Sequence, residues 1–136
     1  SFEDMDNYVE QLSGSTIPAL FEQGEAYFRD WESQACLELA QRRKTVVACG
    51  GGVGLRQKNV QVMADQGRIL WIDRPLEAIR QDIDRSTRPL LQKDSEALTR
   101  LDQERRALYA EAAAMRIPNE GTQGRVLTEI LEALAH

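Results

Sequence analysis

Thr45-Val46-Val47-Ala48-Cys49, followed at once by Gly50-Gly51-Gly52, is the stretch that decides how this chain folds. A short, mostly apolar, β-branched run of this kind suits a strand buried on both faces, the type found in parallel sheets covered by helices. The glycines close the strand and expose backbone N–H groups, with no Cβ to hold a ligand away from the main chain. They stand just ahead of a helix expected from about Arg56 to Gln66, and a helix N-terminus favours anions. A plain strand-to-helix turn accounts for the glycines equally well, so both readings stay open at this point.

Downstream, Arg68-Ile69-Leu70-Trp71-Ile72 reads as a second buried strand, and Pro75 opens a helix with Leu76, Ile79 and Ile83 inward. Residues 85–94, around Arg88-Pro89-Leu90-Leu91, lack periodicity and read as an exposed loop able to move. Ser95 caps a long helix bearing Leu98, Leu101, Arg105 and Leu108. Met115-Arg116-Ile117-Pro118 reads as a short strand, and a last helix from Thr122 carries Val126, Leu127, Ile130, Leu131 and Leu134.

Upstream, Phe2 to Asp4 reads as the tail of a strand. Asp6 or Asn7 caps a helix with Tyr8, Val9 and Leu12 on one stripe, stopping at Gly14. Thr16 caps the next helix with Pro18 in its first turn, and a longer one from Gly24 places Phe28, Trp31, Ala35 and Leu39 on its core face. Apolar strands alternating with helices imply an α/β, three-layer α/β/α architecture around a parallel sheet. In such sheets ligands bind beyond the carboxyl ends of the strands, where the glycines fall.

With 136 residues, 42% of them hydrophobic, the chain suits one compact domain. A net charge of −5 argues against a nucleic-acid partner. The apolar runs fall far short of the roughly 20 residues that cross a bilayer, so a soluble protein with no membrane partner is expected. Cys36 and Cys49 show no paired spacing and are expected as free thiols in a reducing cytoplasm. The one histidine is the terminal His136, which excludes histidine triads, histidine bases and His-rich zinc sites.

Asp4 and Asp6 lie two apart at a strand end. A carboxylate there accepts the proton of an alcohol nucleophile, and a second helps to hold hydrated Mg²⁺; the plainer reading of Asp6 is a helix cap. Arg29 borders the apolar stripe and offers a planar fork for a carboxylate, or else pairs with Glu25 or Glu32 along its own helix. Arg105 falls on an apolar stripe, where it needs a buried anion. Arg88 by itself is an ordinary surface arginine. Trp31, Trp71, Phe21 and Phe28 read as core, with the two phenylalanines also placed to serve as a ligand platform.

Taken together, these residues resemble the shikimate kinases, P-loop kinases related to the nucleoside monophosphate kinases. Phe2-Glu3-Asp4-Met5-Asp6 resembles the family's aspartate-x-aspartate segment. Gly24 to Glu32 resembles its G-E-x-x-F-R-x-x-E helix, and Ala48 to Val53 its triple-glycine motif. Arg88-Pro89-Leu90-Leu91 looks like its lid, at about residues 85–94, and Arg105-Arg106-Ala107-Leu108-Tyr109 like its R-x-P-L-Y helix, with Ala107 in place of the proline. The resemblance spans nearly the whole chain as a single domain, with the substrate region at about residues 5–42.

What the resemblance implies is transfer of the γ-phosphoryl of ATP to the 3-hydroxyl of shikimate, in the cytoplasm, on the way to aromatic amino acids. Asp6 then binds the ring hydroxyls and acts as, or near, the base, with Asp4 close to Mg²⁺. Arg29, Arg105 and the backbone of Gly51 and Gly52 hold shikimate, while Arg88 closes over the ATP phosphates. A monomer is expected. The family's first strand, its G-x-x-x-x-G-K-[ST] phosphate loop and the helix after it do not occur in these residues. The chain is therefore expected to be a portion of a longer kinase and, alone, to fold poorly. A shikimate-binding remnant without catalysis and a related sugar-acid kinase are the alternatives.

Overall fold

The computed structural model describes residues 1–84 and 95–135. The chain divides into two compact units, one over Ser1–Arg68 and one from Ile69 on.

In the first unit β1 (Phe2–Asp4) runs straight into α1 (Met5–Ser13). The cap of α1 is Asp4, not the expected Asp6 or Asn7. Asp4 is the last extended residue, and its Oδ1 accepts the Asn7 N–H at 3.2 Å. Asp6 therefore stands inside the first turn, where the unpaired amides of a helix start favour negative charge. Gly14 ends α1 at φ +73°, a conformation that costs glycine little. As expected, Thr16 caps α2 (Ile17–Glu22), its Oγ1 accepting the Ala19 N–H at 3.3 Å.

α3 (Glu25–Ala40) then returns the chain to β2 (Val46–Ala48), which pairs in parallel with β1, Glu3 opposite Val47. A parallel pair needs a crossover of this length, and here three helices supply it. After the glycines a single 3₁₀ turn (Val53–Leu55) leads into α4 (Gln57–Gln66), so the helix expected from Arg56 starts one residue later.

The core of this unit is helical. Met5, Val9, Leu20, Phe28, Ala35, Cys36, Leu39 and Val53 form one buried cluster, with Trp31 and Val47 partly buried against it. The expectation that the strand before the glycines is buried on both faces is corrected, because Val46 is 64% exposed. The reason is the short pairing: β2 is three residues long and β1 is its one neighbour among the described residues.

In the second unit β3 (Leu70–Asp73) is followed by α5 (Leu76–Asp84), α6 (Ser95–Ala112), β4 (Met115–Pro118) and α7 (Gln123–Ala135). β3 and β4 pair in parallel with Asp73 opposite Pro118, and the Asn119 N–H extends the ladder to the Asp73 carbonyl at 2.6 Å. Leu98, Ile117 and Val126 are buried. Ile72 is exposed, so β3 also departs from the expected two-faced burial. The stripe read on α6 is narrower than expected too. Leu98 is buried, but Leu101 is exposed and Arg105 is half-buried.

Because Leu20 is 1% exposed within the helical cluster, Leu20→Ala should cost about 2–5 kcal/mol, read as a fall in the urea midpoint at constant slope. A loss below about 1 kcal/mol would mean that α2 is not part of the cooperative core.

Candidate functional site

The glycine turn is shaped by what lies against it. A Cβ built on Gly50 would stand 3.3 Å from Asp6 Oδ1 and 3.6 Å from Glu32 Oε2, and one built on Gly52 would run into the Arg29 guanidinium. Neither glycine needs a positive φ; the requirement is close approach. Two readings left open by the sequence are thereby joined, since the turn is tight and the residues that make it so are the candidate ligands.

The turn is stapled from below. Gly50 and Gly52 carbonyls accept the Val53 and Leu55 N–H groups at 3.3 and 3.1 Å. Buried Asn59, on α4, donates from Nδ2 to the Val53 carbonyl at 3.0 Å. Arg56 reaches back to α3, bonding Asp30 at 2.8 Å and Ser33 Oγ at 3.2 Å. These contacts fix the glycine backbone against the helix that carries Arg29.

Arg29 is held on several sides. Its Nη1 donates to Glu32 Oε1 at 2.9 Å and its Nη2 to Glu25 Oε1 at 3.3 Å, while its Cζ lies 5.1 Å from the centre of the Phe28 ring. Phe28 is stacked on Phe21, ring centres 4.5 Å apart. Phe28 is buried and Phe21 exposed, so the pair gives the guanidinium a rigid apolar floor. The helical ion pairs considered for Arg29 are therefore present, and the placement beside the glycines is present with them. Arg29 Nε is buried with no hydrogen-bond partner among the described residues. A buried orphan donor of this kind suits a ligand oxygen.

Glu32, whose side chain is 2% exposed, is the residue of this arrangement that sequence reasoning took only as a pairing partner. Its signal was available: an acid three residues after Arg29 on a face otherwise apolar. Asp6, at the start of α1, has its carboxyl raised above the usual aspartate range. Loss of hydration is the largest cause, the Asp4 and Glu10 carboxylates add to it, and the Arg29 guanidinium works against it. A raised carboxyl is a stronger base once ionised.

The first unit thus brings Asp6, Arg29 and Gly52 together with Gly50 and Glu32, and Gly51 stands in the same turn. Asp4, partly buried, closes β1 as a helix cap. Arg88 and the lid at 85–94 lie outside the described residues.

Arg105 belongs to the second unit, on α6, beside a hollow of about 90 Å³ that Trp71, Asp73, Arg74, Asp102, Arg106 and Tyr109 also line. The buried anion expected beside Arg105 is Asp73, 4% exposed at the end of β3, but the ion pairs shown for it are with Arg106 at 2.9 Å and Arg116 at 2.6 Å. Burial acts to raise the Asp73 carboxyl, and the two guanidinia outweigh it, holding the group below its usual range.

Comparison with known proteins adds the family. The family model for shikimate kinase matches residues 1–135. The chain belongs to the shikimate kinase family. Over 134 residues it is 45% identical to a shikimate kinase of Clostridium beijerinckii, covering 98% of this chain and 79% of that one. Among solved structures it is similar to shikimate kinase from Acinetobacter baumannii in complex with shikimate, with a TM-score of 0.87, 33% identity, and coverage of 99% of this chain and 78% of the other. The crystal structure of the Aquifex aeolicus shikimate kinase gives a TM-score of 0.85 at 32% identity, covering 98% of this chain and 80% of that one. The chain is thus an α/β member of the P-loop kinases, and its activity is that of an ATP-dependent shikimate kinase of aromatic amino-acid biosynthesis. No helix among the described residues is long and apolar enough to cross a membrane.

Adding one methyl group at Gly52 should push the Arg29 guanidinium out of its seat while leaving the apolar core intact. Gly52→Ala is expected to raise the KM for shikimate about 10–100-fold with little change in Tm. An unchanged KM would show that Arg29 does not need its observed position.

Proposed function

We propose that Asp6, Arg29 and the Gly50–Gly52 turn form the shikimate-binding face of this kinase, with Asp6 accepting the proton of the 3-hydroxyl as the γ-phosphoryl of ATP is transferred to it. The observation that carries this reading is the convergence of Asp6 on Gly50 and of Arg29 on Gly52, where a side chain at Gly52 would meet the guanidinium. Arg29 receives the substrate carboxylate, the buried Nε supplying a donor that the protein leaves unmatched. Asp6 takes ring hydroxyls at the other end of the turn. The backbone of Gly51 and Gly52 lies against the same face and contacts the ring. Phosphoryl transfer asks the protein for positioning and charge neutralisation rather than covalent chemistry, and this set of groups answers that need.

Arg105 is proposed as a further ligand of the shikimate carboxylate and Arg88 as a ligand of the ATP phosphates, both on the strength of their motifs. Asp4 is proposed for Mg²⁺. The described residues contain no cluster of three or more metal-ligating side chains. Mg²⁺ commonly keeps several waters and takes one or two carboxylates together with substrate phosphates, so a single carboxylate at a strand end fits it. Bound with ATP, the ion would neutralise charge on the transferring phosphates. An ATP-using biosynthetic enzyme of this kind is proposed to work in the cytoplasm.

Release of ADP in the presence of shikimate is the direct assay. Asp6→Asn should lower kcat about 10²–10⁴-fold, with a smaller rise in the KM for shikimate because the amide oxygen still accepts from the ring hydroxyls. A kcat within a few-fold of the parent enzyme would remove Asp6 from the role of base. A second measurement probes the charge environment. Glu10→Gln removes a negative charge that raises the Asp6 carboxyl, so the Asp6 pKa should fall and the acidic limb of the pH profile of kcat/KM should move to lower pH. A limb that stays in place or moves upward would assign the ionisation to another group.

A further inference from the structure

Asp73 lies where a charge is costly, and the way it is matched fixes the rotation of a helix. It ends β3, and its Oδ1 and Oδ2 are met by Arg106 from α6 at 2.9 Å and by Arg116 from β4 at 2.6 Å. Arg106 is committed in every direction. Its Nη1 goes to Asp73, its Nε to Asp102 one turn earlier on α6 at 3.0 Å, and its Nη2 to the Arg74 carbonyl at 3.2 Å. Both guanidinia lie over the Trp71 ring, at 5.6 and 5.7 Å from its centre, and Trp71 is tilted against Tyr109 of α6 at 6.1 Å. Strand, helix and second strand therefore meet at one carboxylate.

Successive residues of a helix point about 100° apart, so pinning one of them sets the direction of the next. A roll of about 10° moves atoms at the helix surface, ~5–6 Å from the axis, by about 1 Å. The residue before the anchor matters here, because Arg105 immediately precedes Arg106 and lines the same hollow as Asp73. We infer that Asp73 is a positioning residue for Arg105, acting through Arg106 to hold the rotation of α6. The inference rests on the proposed role of Arg105 as a shikimate ligand. It goes beyond that role by placing control of shikimate affinity in an ion-pair cluster built from β3, α6 and β4.

The test is a double-mutant cycle in the purified enzyme with Asp73→Asn, Arg105→Ala and their combination, reading the KM for shikimate, the KM for ATP and kcat. Asp73→Asn is expected to raise the KM for shikimate about 10-fold, with the KM for ATP and kcat within about twofold. In the Arg105→Ala background the same change should add less than about twofold, because the group being positioned is gone. Equal effects of Asp73→Asn in both backgrounds, or an unchanged KM in the single variant, would overturn the inference and leave Arg105 as a ligand. An unchanged KM in Arg105→Ala would overturn the proposed role of Arg105 and the inference with it. Should Asp73→Asn fail to fold, Arg106→Lys keeps the charge and loses the planar fork, and it must show the same selective rise in the KM for shikimate. A normal KM in Arg106→Lys would overturn the inference.

Discussion

The ion pair between Arg29 and Glu32, closed over by the glycine turn, is the contact on which the geometry of the first unit depends. Glu32 is all but sealed from solvent, and a sealed carboxylate requires a cation at hydrogen-bond distance. Arg29 supplies it from one turn earlier on α3. That commitment parks the guanidinium where a side chain at Gly52 would otherwise sit, and so fixes the residue type there. Buried pairs are poor sources of net stability compared with apolar packing, although losing one partner costs about 3–5 kcal/mol. What the pair contributes here is location: a guanidinium with few rotameric choices, resting on Phe28 and facing the backbone of the turn.

A second acid repeats the arrangement in the other unit. Asp4 closes β1 and Asp73 closes β3, so the carboxyl ends of two parallel strands each carry a carboxylate. The two are used differently. Asp4 gives an oxygen to a backbone amide and starts a helix, whereas Asp73 is buried and ties α6 and β4 to the strand end. The carboxyl ends of parallel strands are where ligand-binding groups gather in sheets of this class. One end hands the chain to the helix that carries Asp6, and the other is tied by ion pairs to the helix that carries Arg105.

Much of this was legible in the residues. The triple glycine after an apolar run, Thr16 with Pro18, the helical spacing of Phe28, Ala35 and Leu39, and the short strand from Met115 to Pro118 each announced an element that the structure contains. The groups around Gly52 were legible as types. What periodicity misjudged was burial. Val46 and Ile72 sit in runs with the composition of a sheet interior, yet each is exposed, because composition reports what a strand can bury and not how many neighbours it has. The same limit explains the α6 stripe. Spacing placed Arg105 in line with Leu98 and Leu101, but Asp73 is contacted by the adjacent Arg106, and a shift of one residue in a helix turns a side chain by about 100°. Asn59 carried no signal at all, since a buried amide stapling a turn looks in sequence like any polar residue on a helix.

The pairing of Arg29 has an electrostatic consequence for the acid it is proposed to bind. With Glu32 and Glu25 on its two terminal nitrogens and Asp6 close by, the guanidinium is largely neutralised before any ligand arrives. Such a group offers a rigid donor, at little cost in reorganisation, but little net positive charge. Recognition of a carboxylate by Arg29 alone would then rest on hydrogen-bond geometry and would be weak against the hydration of the anion. A further cation would complete it, which is the physical case for the second arginine proposed as a shikimate ligand. The proposed place of Arg105 beside the substrate carboxylate would supply that second charge, while Arg29 is held in position by the pair beneath the glycines.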